Sequence, residues 1–523
     1  FLLRPPSPLP SGDPTGVAAA AMGTADLAWF WCAAACVKLL LAPAYRSTDF
    51  EVHRHWLALT SSLPLARWYA DTSSPWTLDY PPLFAYFEYL LSLPAALVDP
   101  AIVDLRNLGY DADSAVLFQR LSVVLADLSL LLGAGRIARG LPAGKRRMVY
   151  TLVLWSPALL IVDHVHFQYN GLLLGILLHS LALLAEGRDL AGGVAFAVLI
   201  CSKHLFAVAA PVYFVYLLRH YCGGGGFRRD LGRFLAMGAA VGVVFALSFG
   251  PFVYHGQIGQ VFRRLFPFGR GLCHAYWAPN FWVFYIIVDK SMAFLLRNLG
   301  YSIEIPSASF TGGLVGSSSP FAVLPPVSPA VSLILVILAM FPCLVKAWRN
   351  PEPKHMARWL SYAYTCGFLF GWHVHEKASL HFVIPLAITA VDSLEDARHY
   401  FLLATVSCFS MFPLLFEPKE YPIKILLLAI HSILVLSGFS SLFSKSKAPK
   451  ERRQHEPMCF IGQIELCYLL GLVCVELWGQ FLHPYILGEK FPFLPLMLVS
   501  TYCAVGMMYS WLWQLRRIFT IKL

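Results

Sequence analysis

The sequence predicts an all-α polytopic membrane protein, and three observations carry that prediction. Apolar residues fill 58% of the 523 positions and charged residues only 13%; the mean hydropathy of +0.62 is beyond the reach of a soluble chain of this length. The apolar runs are continuous, which selects helices over a barrel of alternating strands. Lys and Arg gather in short loops between these runs, so the net charge of +10 reads as membrane topology and not as a nucleic-acid surface. The twelve Cys are scattered without C-x-x-C pairs or zinc-site spacing, and they read as small apolar packing residues with no disulfide framework.

Residues 1–22 lack an initial Met and are rich in Pro, Ser and Ala, so they are expected to form a disordered extension, with Met22-Gly23 nearer the native start. Residues 23–523 are expected to form one multi-span domain. At about 20 apolar residues per crossing, with shorter buried helices allowed, runs fall at 25–43, 116–134, 148–163, 171–186, 190–201, 204–219 and 232–252. A second set follows at 328–347, 358–371, 379–392, 399–416, 423–443, 463–483 and 494–514. That makes about fourteen crossings. Counted this way, Lys145-Arg146-Arg147, Arg228-Arg229, the Lys346–Arg358 loop, Lys445–Arg453 and Arg516-Arg517 share the cytosolic side. Long loops at 44–115 and 251–280 fall on the opposite side. Residues 281–297 carry Trp, Tyr and a central Asp289-Lys290, and are expected to be interfacial or re-entrant. Gly223–Gly226 and 306–320 read as connectors.

Three clusters of ionisable residues sit at the ends of apolar runs, where a charge needs a functional reason. Asp49-Phe50-Glu51 follows the first run. A carboxylate there suits general-base removal of a hydroxyl proton when transfer is late; the alternative is a solvated acid pairing with Arg54 or Arg46. The same loop holds Trp56, Trp68, Tyr69, Trp76, Asp79, Tyr80 and Pro81-Pro82, which suit either sugar stacking or an interfacial aromatic belt. Asp163-His164-Val165-His166 lies in a polar segment between two runs. Asp163 and His166 fit one helix face, and His164/His166 form an H-x-H spacing with no third ligand dictated. Lys203-His204 extends this patch or snorkels at a helix end. His373-Val374-His375-Glu376-Lys377 is the strongest cluster: Lys377 and the imidazoles suit a phosphate that gains charge as its bond to a sugar breaks. The alternative is an interfacial turn with an internal Glu376/Lys377 pair. Arg263, Arg264 and Arg270, near His274, suit phosphate or carbohydrate.

The strings Ser47–Arg54, Trp76–Pro82, Val162–Gly171 and Phe370–Lys377 resemble the lipid-linked-sugar glucosyltransferases of the endoplasmic reticulum, a family of the GT-C membrane fold. The resemblance runs from about residue 25 to the C-terminus, and Arg270–Trp282 is most similar to the branch adding the second glucose. It implies a multi-pass endoplasmic-reticulum protein with a luminal site, using dolichyl-phosphate-glucose as donor and Glc1Man9GlcNAc2 on dolichyl diphosphate as acceptor. The product is an α-1,3 linkage formed with inversion. By position in the family pattern, Asp49 is the implied catalytic base. Glu51, Asp79, Asp163, His166, Lys203, Arg270, His274, His373, His375 and Lys377 are candidate substrate contacts. No cofactor or metal is expected, since the leaving group is already an activated phosphate and no paired-Asp nucleotide-sugar motif occurs. Substrates and membrane lipids are the expected partners. The alternatives are a first-glucose or mannose-transferring sister enzyme, or, in another class, a lipid or ion transporter. Transporters place ionisable groups at the bilayer midplane on broken helices, whereas these clusters sit at span ends.

Overall fold

The computed structural model describes residues 14–274, 278–304, 321–444 and 460–520. Residues 1–13, the connector at 306–320 and the basic Lys445–Arg453 loop lie outside the described residues. Helices α1 (Pro14–Leu40), α2 (Thr48–Ser62), α3 (Pro82–Val98), α4 (Asp113–Ile137) and α5 (Ala143–Phe167) form the first part of the chain. They are followed by α6 (Asn170–Ala185), α7 (Asp189–Ser202), α8 (Ala210–His220), α9 (Phe227–Tyr254), α10 (Ile258–Leu265) and α11 (Phe281–Asn298). The remainder is α12 (Pro329–Arg349), α13 (Met356–Phe370), α14 (Leu380–Thr389), α15 (Leu394–Ser410), α16 (Pro418–Ser444), α17 (Gln463–Leu487) and α18 (Leu494–Thr520).

Among the described residues, seven helices (α4, α5, α9, α12, α16, α17 and α18) are long and apolar enough to cross a membrane; α3, α6 and α7 are shorter apolar helices. Most of the other expected runs fold into shorter helices, and α13, α14 and α15 are almost wholly buried. Length alone therefore does not reproduce fourteen spans. The loop expected at 44–115 contains two helices, because Ser47 caps α2 and Pro81-Pro82 opens α3. Helix α1 begins at Pro14, inside the expected extension. Residues 281–298 form one uninterrupted helix that is not among the span candidates. Its central Asp289 is fully buried and accepts the backbone N–H groups of Ala322, Val323 and Leu324, so the charge in mid-helix caps a neighbouring turn.

Helices α4 and α6 pack through glycine. A Cβ on Gly175 would fall 2.3 Å from the Ser129 carbonyl carbon and 2.4 Å from Leu130 N, an approach that only a missing side chain permits. Beside them a buried ionic group ties three helices together. Lys38 Nζ lies 2.6 Å from Asp127 Oδ2 and His164 Nε2 lies 2.7 Å from the same oxygen, which answers the cost of burying charge at membrane depth. We expect Gly175→Ala to destabilise the fold by about 1–3 kcal/mol through overpacking, read as a lower Tm of the detergent-solubilised protein; an unchanged Tm contradicts this packing.

Candidate active site

Two local features shape the floor of the site. The last turns of α5, Leu160–Phe167, are π-helical, and Phe167 leaves them at φ 92°; such bulges recur at functional sites. The carbonyls released there are taken up by buried Arg120, which donates to His164 O at 2.8 Å, Val165 O at 3.1 Å and Tyr45 O at 3.0 Å. On the other side, His373 has φ 52°, its N–H donates to Leu272 O at 2.9 Å, and a single bridge joins Cys273 to Val374. That seam carries the His373–Lys377 segment against the Arg270–His274 segment, so regions about a hundred residues apart share one wall.

Asp49, in the first turn of α2, is where the walls meet. Its Oδ2 accepts from Lys377 Nζ at 2.8 Å and from Gln168 Nε2 at 2.6 Å, and His166 Nε2 lies 3.3 Å away. Tyr45 spends its hydroxyl proton on Leu414 O at 2.6 Å, so the 2.7 Å contact to His166 Nδ1 makes Nδ1 the protonated nitrogen. His166 Nε2 then accepts from Lys377 at 3.1 Å. Among the described residues every one of these contacts to Asp49 falls on Oδ2, and the Asp49 side chain is 23% exposed. Burial pushes the Asp49 carboxyl up, but the Lys377 ammonium beside it outweighs that and holds it well below the usual carboxylate range. The group is a carboxylate held ionised, with its hydrogen bonds gathered on one oxygen.

Behind Asp49 runs a directed chain of hydrogen bonds. Lys203 Nζ donates to Asn170 Oδ1 at 2.9 Å, Asn170 Nδ2 donates to Gln168 Oε1 at 2.9 Å, and Gln168 passes its own N–H to Asp49. Lys203 is pulled down to about 8, mainly by burial, with the Asp163 carboxylate acting against it. Asp79 is pushed up to about 6 by burial, against Arg270, whose Nη2 lies 3.7 Å from Oδ2. The two acids, Asp49 and Asp79, are therefore driven in opposite directions, a common sign of divided roles.

The remaining expected residues fall into two groups. The His274 and His375 rings meet at a tilt of 34° with centroids 3.8 Å apart, His373 is 5.6 Å from each, and His274 Nδ1 lies 4.0 Å from Glu376 Oε2. Burial keeps His375 well below its ordinary range and brings His274 down to about 3, so both are neutral donors. His274, His375 and Glu376 offer ligand atoms within 4.8 Å of one another, a set that can hold a divalent ion. Two expected contacts lie away from the open side. Glu51 is held by Arg54 in a two-point pair, both at 2.7 Å, and Asp163, fully buried, accepts Gly171 N at 2.7 Å and Asn170 Nδ2 at 2.8 Å at the start of α6. Their carboxylates are consumed in structure, as the N-terminal dipole of a helix favours for an acid. The internal Glu376/Lys377 pair gives way to Lys377/Asp49, and the H-x-H pair splits, with His164 turned to Asp127 and His166 to Asp49. Gln168 was visible in its motif without a role, whereas Tyr45, at the end of an apolar run, carried no signal at all.

Lys377→Met removes the nearest cation from Asp49, so its pKa must rise. The acid limb of kcat/KM, which requires the carboxylate, is expected to move to higher pH by about 1–3 units; an unmoved limb excludes Asp49 as the titrating base.

Residues 34–514 match the ALG6, ALG8 glycosyltransferase family profile. The chain is 64% identical over 499 residues to an Arabidopsis thaliana protein named dolichyl pyrophosphate Glc1Man9GlcNAc2 alpha-1,3-glucosyltransferase, covering 94% of this chain and 98% of that one. It is 43% identical over 520 residues to a Mus musculus protein of the same name, with 95% and 96% covered. A Schizosaccharomyces pombe protein, also so named, is 41% identical over 492 residues, with 92% and 96% covered. A match across nearly the whole span of helices that builds the site leaves one conclusion: the chain belongs to the ALG6, ALG8 glycosyltransferase family.

Proposed function

We propose that the protein transfers glucose from dolichyl-phosphate-glucose to the terminal glucose of Glc1Man9GlcNAc2 on dolichyl diphosphate, forming an α-1,3 linkage with inversion at the luminal face of the endoplasmic-reticulum membrane. The observation that carries the reading is Asp49, ionised beside Lys377 at 2.8 Å with its hydrogen bonds gathered on Oδ2. Support for substrate and linkage comes from the relatives' names and the near-complete coverage of their length. Residues 23–523 act as one domain in this reading, since its site draws on α2, the π-helical end of α5 and the segments before α11 and after α13.

The geometry supports a single inverting displacement. The acceptor hydroxyl approaches Asp49 Oδ1 from the open side and attacks the anomeric carbon on the face opposite the phosphate. As the new C–O bond forms, the anomeric C–O bond breaks and its electron pair leaves with the phosphate oxygen, while the hydroxyl proton passes to Oδ1. Lys377 keeps Asp49 ionised until then, and with neutral His375 and His274 it faces the charge developing on dolichyl phosphate. Arg270 and Asp79 sit on the same wall as polar contacts for the bound sugar.

The test is reconstitution with purified dolichyl-phosphate-glucose and the monoglucosylated lipid-linked acceptor. A product one hexose heavier, with an α-1,3 linkage to glucose, is expected; extension only of an unglucosylated acceptor, or only from a mannose donor, rejects the assignment. Asp49→Asn is expected to cut the transfer rate by about 10²–10⁴-fold while donor binding persists. A near-normal rate removes Asp49 from the mechanism.

A further inference from the structure

We propose that the isoprenoid chain of the donor lies along a ladder of phenylalanine rings that climbs from α9 over α10 to an arginine-lined cavity beside the site. The proposal rests on the glucosyl-transfer reading above and deepens it.

The ladder has five rungs. Phe245 and Phe249 stack on α9 with centroids 5.9 Å apart and planes 17° apart. Phe249 meets Phe262 of α10 at 6.0 Å and 6°, Phe262 meets Phe266 at 6.4 Å and 17°, and Phe266 meets Phe268 at 5.9 Å and 20°. Consecutive rings are thus nearly parallel across two helices and the turn that follows. Four of the five are exposed: Phe245, Phe262, Phe266 and Phe268. Lone surface aromatics need no explanation, but a continuous row of co-oriented rings offers a track for a long, methyl-branched apolar chain.

The same short helix that carries the track carries cations as well. Phe262 lies on α10 and Phe266 is the residue that ends it, while Arg263 and Arg264 follow Phe262 in the last turn, so rings and guanidinium groups share this short amphipathic segment. Arg263, Arg264 and Arg270, with Thr77, Pro267 and Gly269, line a cavity of about 320 Å³. Arg264 is braced by the carbonyls of Tyr69 at 3.3 Å and Asp71 at 3.2 Å, and Arg270 leads to Asp79 at 3.7 Å. The track therefore ends where a phosphate finds guanidinium partners at the wall of the reaction centre. His204, 5.2 Å from the Phe266 ring, packs beside the upper rungs.

Of the two lipid-linked substrates, the donor fits this track. Its single phosphate joins the reacting sugar to the isoprenoid, so phosphate and chain must both start beside Asp49. The acceptor's diphosphate stands a whole oligosaccharide away from the reacting hydroxyl, and nothing requires it near Arg270.

The test compares donors bearing a full-length isoprenoid with donors truncated to a few isoprene units, on the wild type and on the combined variant Phe245→Ala, Phe262→Ala, Phe266→Ala of the full-length protein. The variant is expected to raise KM for the long-chain donor at least tenfold, to raise KM for the truncated donor less than twofold, and to leave the acceptor KM in place. Equal changes for both donors, no change for either, or a rise confined to the acceptor each overturn the proposal, the second leaving bulk phospholipid as the occupant. A photoactivatable long-chain isoprenyl phosphate without sugar supplies a readout independent of transfer. Crosslinking within residues 258–268, competed by dolichyl phosphate and not by phosphatidylcholine, is expected; crosslinking elsewhere overturns the ladder. If the wild type transfers no glucose from either donor, the function reading fails first, and the crosslink then decides whether the track still takes an isoprenyl phosphate.

Discussion

The contact between Asp49 and Lys377, 328 positions apart in the chain, is the constraint on which the rest of the structure depends. A carboxylate in low-dielectric surroundings tends to take up a proton and lose its value as a base. One ammonium at hydrogen-bond distance reverses that tendency, yet it also neutralises half of the group's appetite for protons. The structure meets the conflict by geometry: the cation and the Gln168 amide both donate to one oxygen.

Holding that arrangement requires irregular backbone inside a helical membrane protein, where every unpaired carbonyl is costly. The π-helical end of α5 and the left-handed His373 are both such places. Each is compensated by a group recruited from elsewhere, Arg120 for the first and the Gly271–Cys273 strand-like seam for the second. Buried polar side chains around the site are thus mostly scaffolding for the few that face the opening. Glu51 and Asp163 belong to that scaffolding, although in sequence they look as reactive as Asp49.

Fold class and the main site clusters were legible in the sequence because both rest on local signals: continuous apolar runs and charges stranded at their ends. Asp49, His166, Lys203 and Lys377 were found that way, and they do converge. The number of crossings was less legible. Helices of ten to seventeen residues such as α13, α14 and α15 are buried by other helices, and an apolar run does not declare whether lipid or protein surrounds it. Roles were the least legible. Whether a carboxylate meets a substrate or a neighbour is decided by geometry that spacing alone does not show: Arg54 and Gly171, both close in sequence, take up Glu51 and Asp163, whereas Asp49 meets Lys377, 328 positions away. Tyr45, which fixes the His166 tautomer, is to composition just another aromatic at a span end.

The trio of Lys38, Asp127 and His164 has a bearing on how the molecule is made. Lys38 sits two positions before the end of α1, and its counter-ion is synthesised 89 residues later. Until that residue is made, α1 carries an unneutralised ammonium on a long flexible stem. Only when the helix bearing Asp127 arrives does that ammonium gain a reason to swing inward. The ion pair therefore closes only after both segments are made, and it joins an early stretch of the chain to a later one.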